Sequence, residues 1–358
     1  MTSCIARIGF VLWLCTGLTQ AKEKQEVLFQ SGEGAYFCFR IPALLAAGGN
    51  TILAFAEARR TNCEDWDAID LVVKRSVDGG ATWSDLRVLF RDGKRSVNQP
   101  APIYDRQTGV LWLIFCKDNQ QVFVSQSEDD GVTWSEAREI TGSTKDPDWK
   151  YVASGPGHGI QLANGRLLVA AWGDASPGPA SWPPLWGQIE FTFAMFSDDH
   201  GATWRFGRPM YENLTEEGMV AEVGGRVYMS LRSLHGKKRR SHAWSDDGGS
   251  SWSRIQLDES LPEPPAHGSI LSLDDKRLLF VNPASDQARE KLTARISEDQ
   301  GQTWSTAELL YEGSSAYSDL AKTADGTVLC LFEAEGYSKM ILARVEAVEP
   351  THGGVKSQ

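Results

Sequence analysis

The chain has no excess of basic charge, no long apolar run beyond its first residues and no cysteine framework. Its 36 Lys and Arg are outnumbered by 47 Asp and Glu, a net charge of −11. That balance excludes a surface built to neutralise nucleic-acid phosphates and points to a soluble, self-repelling one. No segment after the N-terminus approaches about 18 consecutive apolar residues, so stable membrane insertion is not expected. The 6 histidines show no zinc spacing, and there is no EF-hand loop. Gly155-Pro156-Gly157-His158-Gly159-Ile160 lacks both the Lys-Ser/Thr ending of a phosphate loop and the full dinucleotide fingerprint. No metal and no cofactor are expected. Of 6 cysteines, none stands in a CxxC. Cys116 and Cys330 lie in apolar, strand-like runs as buried thiols, and one disulfide, Cys38–Cys63, is open without being required.

What is present in quantity is 13 Trp and 34 Gly in 358 residues, with 41% hydrophobic residues, ample for a core. Residues 1–21 read as a signal peptide: Arg7 supplies the charge, Ile8 to Leu18 the apolar stretch and Thr19-Gln20-Ala21 the cleavage site. The expected location is secreted or periplasmic, with residues 22–358 forming one domain.

Two repeats organise that domain. Ser-x-Asp-x-Gly-x-Thr-Trp recurs, with Ser for Thr in one copy, at 76–83, 127–134, 197–204, 245–252 and 297–304. In each copy the Asp accepts from backbone N–H groups of its own turn, the Gly takes a positive φ, and the Trp plugs the sheet. Five metal or sugar sites are a weaker reading of the same pattern. A second repeat is an apolar strand seen at Ile52, Val110, Leu167, Val227, Leu278 and Val328, a period of about fifty to sixty residues. Six equivalent strands predict an all-β, six-bladed β-propeller. Only one strand remains after the sixth, so N-terminal strand material is expected to close the ring. Each strand ends polar at the same end, with Glu57 and Arg59, Lys117 and Asp118, Asp174, Arg232, Asn282, and Glu333 and Glu335. These ends converge on one pocket.

Phe39-Arg40-Ile41-Pro42 together with the five Asp-boxes resembles the sialidase superfamily, over about residues 27–347. The resemblance implies an exo-α-sialidase acting on sialylated glycans (glycoproteins, gangliosides or oligosaccharides), a monomer needing no cofactor. It implies three arginines for the substrate carboxylate: Arg40, Arg232 and Arg289, with Arg295 as rival to the last. A guanidinium is a rigid fork matched to a carboxylate. Tyr317 matches the nucleophile. The anomeric carbon of a sialoside carries its own carboxylate, so a neutral phenol avoids the repulsion an Asp or Glu would meet. Flanking arginines are expected to favour the phenolate. Glu217 matches the base, with Glu222 and Glu216 as competitors. Asp65 matches the acid/base, with Asp67 as competitor, and Arg59 matches a further arginine beside it. The reaction implied is retaining, through a tyrosyl-enzyme intermediate. A trans-sialidase or anhydro-forming enzyme, and a non-catalytic propeller binding sialoglycans, are the alternatives. The stretch between the second and third Asp-boxes, with Trp149 and 176–187, is expected to lay an aromatic face over the pocket. His158 is expected to line it, and Lys237-Lys238-Arg239-Arg240 to be solvated.

Overall fold

The computed structural model describes residues 25–176, 189–212 and 214–348. The leader at 1–21 and nearly all of the 176–187 loop lie outside the described residues. Strand β1 (Gln25–Gln30) precedes a first sheet made of β2 (Cys38–Ala46), β3 (Ile52–Arg59), β4 (Ile69–Ser76) and β5 (Arg87–Phe90). The second sheet is β6 (Val97–Tyr104), β7 (Leu111–Lys117), β8 (Gln121–Ser127) and β9 (Arg138–Glu139). The third holds β10 (Tyr151–Ser154), β11 (Ile160–Gln161), β12 (Leu167–Asp174), β13 (Glu190–Ser197) and β14 (Arg205–Phe206). The fourth is β15 (Thr215–Val223), β16 (Arg226–Ser233), β17 (Arg239–Ser245) and β18 (Gln256–Pro262).

The fifth sheet has seven strands. β19 (Ser269–Ser272), β20 (Leu278–Pro283) and β21 (Glu290–Ser297) lead to β22 (Ser305–Lys322), which continues to β23 (Val328–Ala334), β24 (Lys339–Arg344) and β1. β22 is the reason five sheets appear where six repeats were expected. It pairs with β21 through Ser305–Ser314 and with β23 through Ser315–Lys322. One unbroken strand thus belongs to two sets of partners. β1 closes the chain by antiparallel pairing with β24.

Both faces of most sheets are buried, so central strands are apolar on both sides, with period-2 alternation deciding which neighbour each residue meets. In β3, Leu53 and Phe55 pack with Leu113 and Phe115 of the second sheet. Ala54 and Ala56 pack instead with Leu329 and Leu331. Within the seven-stranded sheet, Leu279 and Val281 pack with Leu320 and Cys330, so its two halves lie face to face. The first strands also meet in sequence: β2 touches β6, β6 touches β10, β15 touches β12 and β19, and β22 touches β19 and β2.

All five octapeptide turns make the same bonds. In the second, Asp129 accepts from the Thr133 backbone N–H at 2.8 Å and from the Thr133 hydroxyl at 2.6 Å, while Ser127 Oγ donates to Asp129 and accepts from Gly131 N. The glycine reaches further than its own turn. A Cβ on Gly131 would lie 2.4 Å from Leu53, and one on Gly201 would lie 2.2 Å from the Trp112 ring. Gly80, Gly249 and Gly301 sit likewise against Leu329, Leu168 and Tyr228. Each turn therefore latches its sheet onto the central strand of the preceding set, at a φ between +67° and +87° for every glycine in these turns. The Trp residues 83, 134, 204, 252 and 304 pack against five different core clusters.

The Thr133 hydroxyl and N–H bonds pull the Asp129 carboxyl down to about 2. Its folded value is thus below its unfolded one, so its contribution is present above the unfolded value and lost as pH falls through the folded one. The gap in melting temperature between wild type and Asp129→Ala is expected to be full above about pH 4 and to close as pH approaches 2. A gap that persists at pH 2 in thermal melts would assign the stabilisation to something other than the ionised clasp.

Candidate active site

Four inner strands carry a β-bulge near their polar ends, between Arg40 and Ala43, Asn98 and Ala101, Glu216 and Met219, and Ser315 and Ser318. A bulge puts two residues opposite one and re-aims the side chains beside it. Ile41, Gln99 and Glu217 accordingly have positive φ, at 56°, 59° and 43°. The bulges turn Arg40, Asn98, Gln99, Glu217 and Tyr317 into a cavity of about 310 Å³, also lined by Glu57, Arg59, Asp65, Glu190, Glu216, Arg232 and Arg289.

At its floor the Tyr317 hydroxyl donates to Glu217, 2.7 and 2.6 Å from its two oxygens. Arg232 Nη1 donates to both that hydroxyl and Glu217, and its Nη2 pairs with Glu216 at 3.0 Å. Arg40 and Arg289 stand over the Tyr317 ring, each 5.3 Å from its centre. Arg40 is clasped by Glu333 through Nε at 2.8 Å and Nη2 at 3.3 Å. The Glu333 carboxylate also accepts from the backbone N–H groups of Ile41 at 2.8 Å and Tyr317 at 3.2 Å. Arg289 is held by the Pro265 carbonyl at 2.6 Å and the Tyr337 hydroxyl at 3.1 Å.

Asp65 sits half-exposed at the rim, 2.7 Å from Arg59 Nη2 and 3.7 Å from Arg40 Nη1. Arg59 is fully buried on Glu57 at 2.8 Å, and its other nitrogen donates to the Cys63 carbonyl. A disulfide joins Cys63 to Cys38, tying the Asp65 loop to the strand that carries Arg40.

The electrostatics follow from these contacts. Burial pushes the Asp65 carboxyl up, but Arg59 and Arg40 outweigh it and hold it below the ordinary value. Tyr317 departs from the sequence expectation. Burial raises its phenol well above the usual range; Arg232 opposes that, Glu217 adds to it, and the proton stays on oxygen despite the arginines.

The competing candidates fall elsewhere. Glu222 lies on a separate, larger cavity and accepts from Ala163 N. Arg295 is turned to Asn282 at 3.0 Å. Asp67 accepts from Thr61 in its own loop. Glu216 lines the site but is committed to Arg232. His158 does not line the site; it faces that second cavity, with Nδ1 2.8 Å from Asp319. Trp149 is buried against Phe191 and Phe193 and offers no face to the site. In the basic run Lys237 and Lys238 are exposed, but Arg240 is wholly buried on Glu263 because the strand alternation turns it inward. Among the described residues no group of three or more His, Cys, Asp or Glu could hold a metal ion. Glu190 and Tyr337 entered no sequence argument, and Glu333 entered only as a polar strand end pointing to the pocket, with no role of its own.

The pattern defining the BNR repeat-like domain family matches residues 50–330. The chain is 32% identical to Sialidase-2 of Cricetulus griseus, covering 89% of this chain and 94% of that one. It is 29% identical to the sialidase of Micromonospora viridifaciens, over 86% of this chain and 52% of that protein, so it spans about half of that longer relative. Among solved structures, Hadza microbial sialidase Hz136 superimposes with a TM-score of 0.79 at 28% identity, over 90% of this chain and 69% of that one.

Glu333 is the only carboxylate within hydrogen-bonding distance of Arg40 among the described residues. Glu333→Ala leaves a buried guanidinium without its clasp and is expected to cost about 3–5 kcal/mol of unfolding free energy in denaturant melts. A loss under about 1 kcal/mol would mean that Arg40 finds water or Asp65 at no cost.

Proposed function

The chain belongs to the sialidase superfamily, and on that premise we propose that it is a retaining exo-α-sialidase. It hydrolyses terminal sialic acid from glycoproteins, glycolipids or oligosaccharides through a tyrosyl-enzyme intermediate. The observation that carries this reading is the Tyr317–Glu217 pair at 2.6–2.7 Å, with Arg40, Arg232 and Arg289 around the same phenol.

The three guanidiniums take the substrate carboxylate and leave the anomeric carbon over Tyr317. The phenol is neutral at rest, so it approaches without charge repulsion. As its oxygen bonds to the anomeric carbon, Glu217 takes its proton. Asp65 protonates the departing glycosidic oxygen. In the free enzyme Asp65 is held ionised by Arg59 and Arg40. A bound carboxylate neutralises part of that positive field and excludes water, and both changes raise the Asp65 value toward that of an acid. In the second step Asp65 takes a proton from water, whose oxygen bonds to the anomeric carbon. The tyrosyl bond breaks, and Glu217 returns the proton to Tyr317. Two displacements retain configuration.

The architecture we propose is a six-bladed propeller in which β22 serves two blades. Support comes from the face-to-face packing of the two halves of the seven-stranded sheet and the serial contact of first strands. Export follows from the leader-like residues 1–21, and the Cys38–Cys63 bridge supports an oxidising location. A monomer is proposed.

Tyr317→Phe removes one oxygen, so melting should hardly change while kcat falls by several orders of magnitude on a fluorogenic sialoside. Proton NMR of the first-released sugar should show the α-anomer. First release of the β-anomer, or near-normal turnover of Tyr317→Phe, would overturn the covalent route, and an anhydro or transferred product would replace hydrolysis. Arg289→Lys keeps charge but loses the fork, and should weaken an unsaturated sialic acid analogue by about 1–3 kcal/mol in calorimetry, with Arg295→Lys near neutral.

A further inference from the structure

The carboxylates that line the cavity are Glu57, Asp65, Glu190, Glu216 and Glu217. Four are ion-paired: Glu57 and Asp65 with Arg59, and Glu216 and Glu217 with Arg232. Glu190 has neither an ion pair nor a hydrogen bond among the described residues, although it is only 2% exposed. It opens β13, directly across from Asp174 at the end of β12, and Asp174 Oδ2 is itself buried without a partner. Burial pushes the Glu190 carboxyl up; Arg232 pulls it down, and Asp174 and Glu217 add to the rise.

A buried carboxylate without a partner is destabilising, and folding alone gives no reason to keep one. An acceptor poised at the wall of a cavity is what a ligand's donor group needs, because a site that has lost its solvent rejects a ligand unable to pair with it. The guanidiniums supply donors for the acidic end of a sugar; Glu190 supplies an acceptor for its hydroxyl groups. We propose that Glu190 is a specificity-determining residue that accepts a hydrogen bond from a free hydroxyl of the bound sugar, and so disfavours sugars in which that hydroxyl is acylated. This rests on the sialidase reading above. An acylated oxygen has no proton to give and brings extra bulk into a closed wall.

The test compares wild type with Glu190→Leu on a fluorogenic sialoside and on three analogues: 4-deoxy, 7-deoxy, and one with its glycerol tail shortened by periodate and reduced. The variant is expected to raise KM about 10- to 100-fold on the parent, with kcat within a few-fold. Its melting temperature should equal or exceed that of wild type, because an unpartnered buried carboxylate is gone. On the one analogue that lacks the relevant hydroxyl, the two enzymes should have equal kcat/KM. A gap of the same size on the parent and all three analogues, or a variant that melts lower and loses kcat throughout, would overturn the inference. An unchanged KM on the parent would overturn it too, while leaving the sialidase reading in place. A wild type inactive on every sialoside would remove both.

Discussion

One buried carboxylate, that of Glu333, joins most of what the site depends on. It clasps the Arg40 side chain, caps the Ile41 N–H at the bulge beside it and accepts from the Tyr317 N–H. The three partners come from β2 and β22, strands about 275 residues apart in the chain, and Glu333 itself lies on β23. A single anion thus positions an arginine, a strained backbone turn and a phenol together. It is affordable only because all its partners are present at once; in a low-dielectric interior a missing one leaves a charge exposed to nothing. The ring's closure and the pocket's geometry are therefore the same event.

The opposing walls of the pocket explain how Tyr317 and Asp65 differ. Asp65 is at the rim, where three guanidiniums, Arg59, Arg40 and Arg232, outweigh burial. Tyr317 is at the floor, where burial and the adjoining Glu217 outweigh three. Position along the axis, more than the count of nearby cations, sets which group carries charge.

Much of this was legible in the sequence. The octapeptide announced its own bonds, because Asp, Gly and Thr at those offsets have one efficient way to satisfy each other. Of the polar strand ends, Glu57, Arg59 and Arg232 line the pocket, while Lys117, Asp118, Asp174, Asn282 and Glu335 do not; Arg289 and Glu217 line it, whereas Arg295 and Glu222 do not. The bulges were illegible: an extra residue shows only against the strand it pairs with, and that strand is dozens of residues away. His158 was misplaced for that reason, since which end of the ring its loop faces depends on Asp319, far along the chain. The inward turn of Arg240 depended on register within a run of four basic residues. The strand count was legible as repeats, but the sharing of β22 was not, because continuity of hydrogen bonding leaves no mark on composition.

That shared strand has a mechanical consequence. Arg289 immediately precedes β21 and Tyr317 stands on β22, the strand that pairs with it, and the Ser315 N–H donates to the Arg289 carbonyl at 2.9 Å. They form a stiff tile. Asp65 and Arg40 belong to another sheet, joined to this one through side-chain packing and Glu333. Low-frequency breathing of the ring will modulate the gap from Asp65 to Tyr317 far more than the gap from Arg289 to Tyr317. Arg289 and the Tyr317 oxygen ride together, and the Asp65 carboxylate is the part that swings.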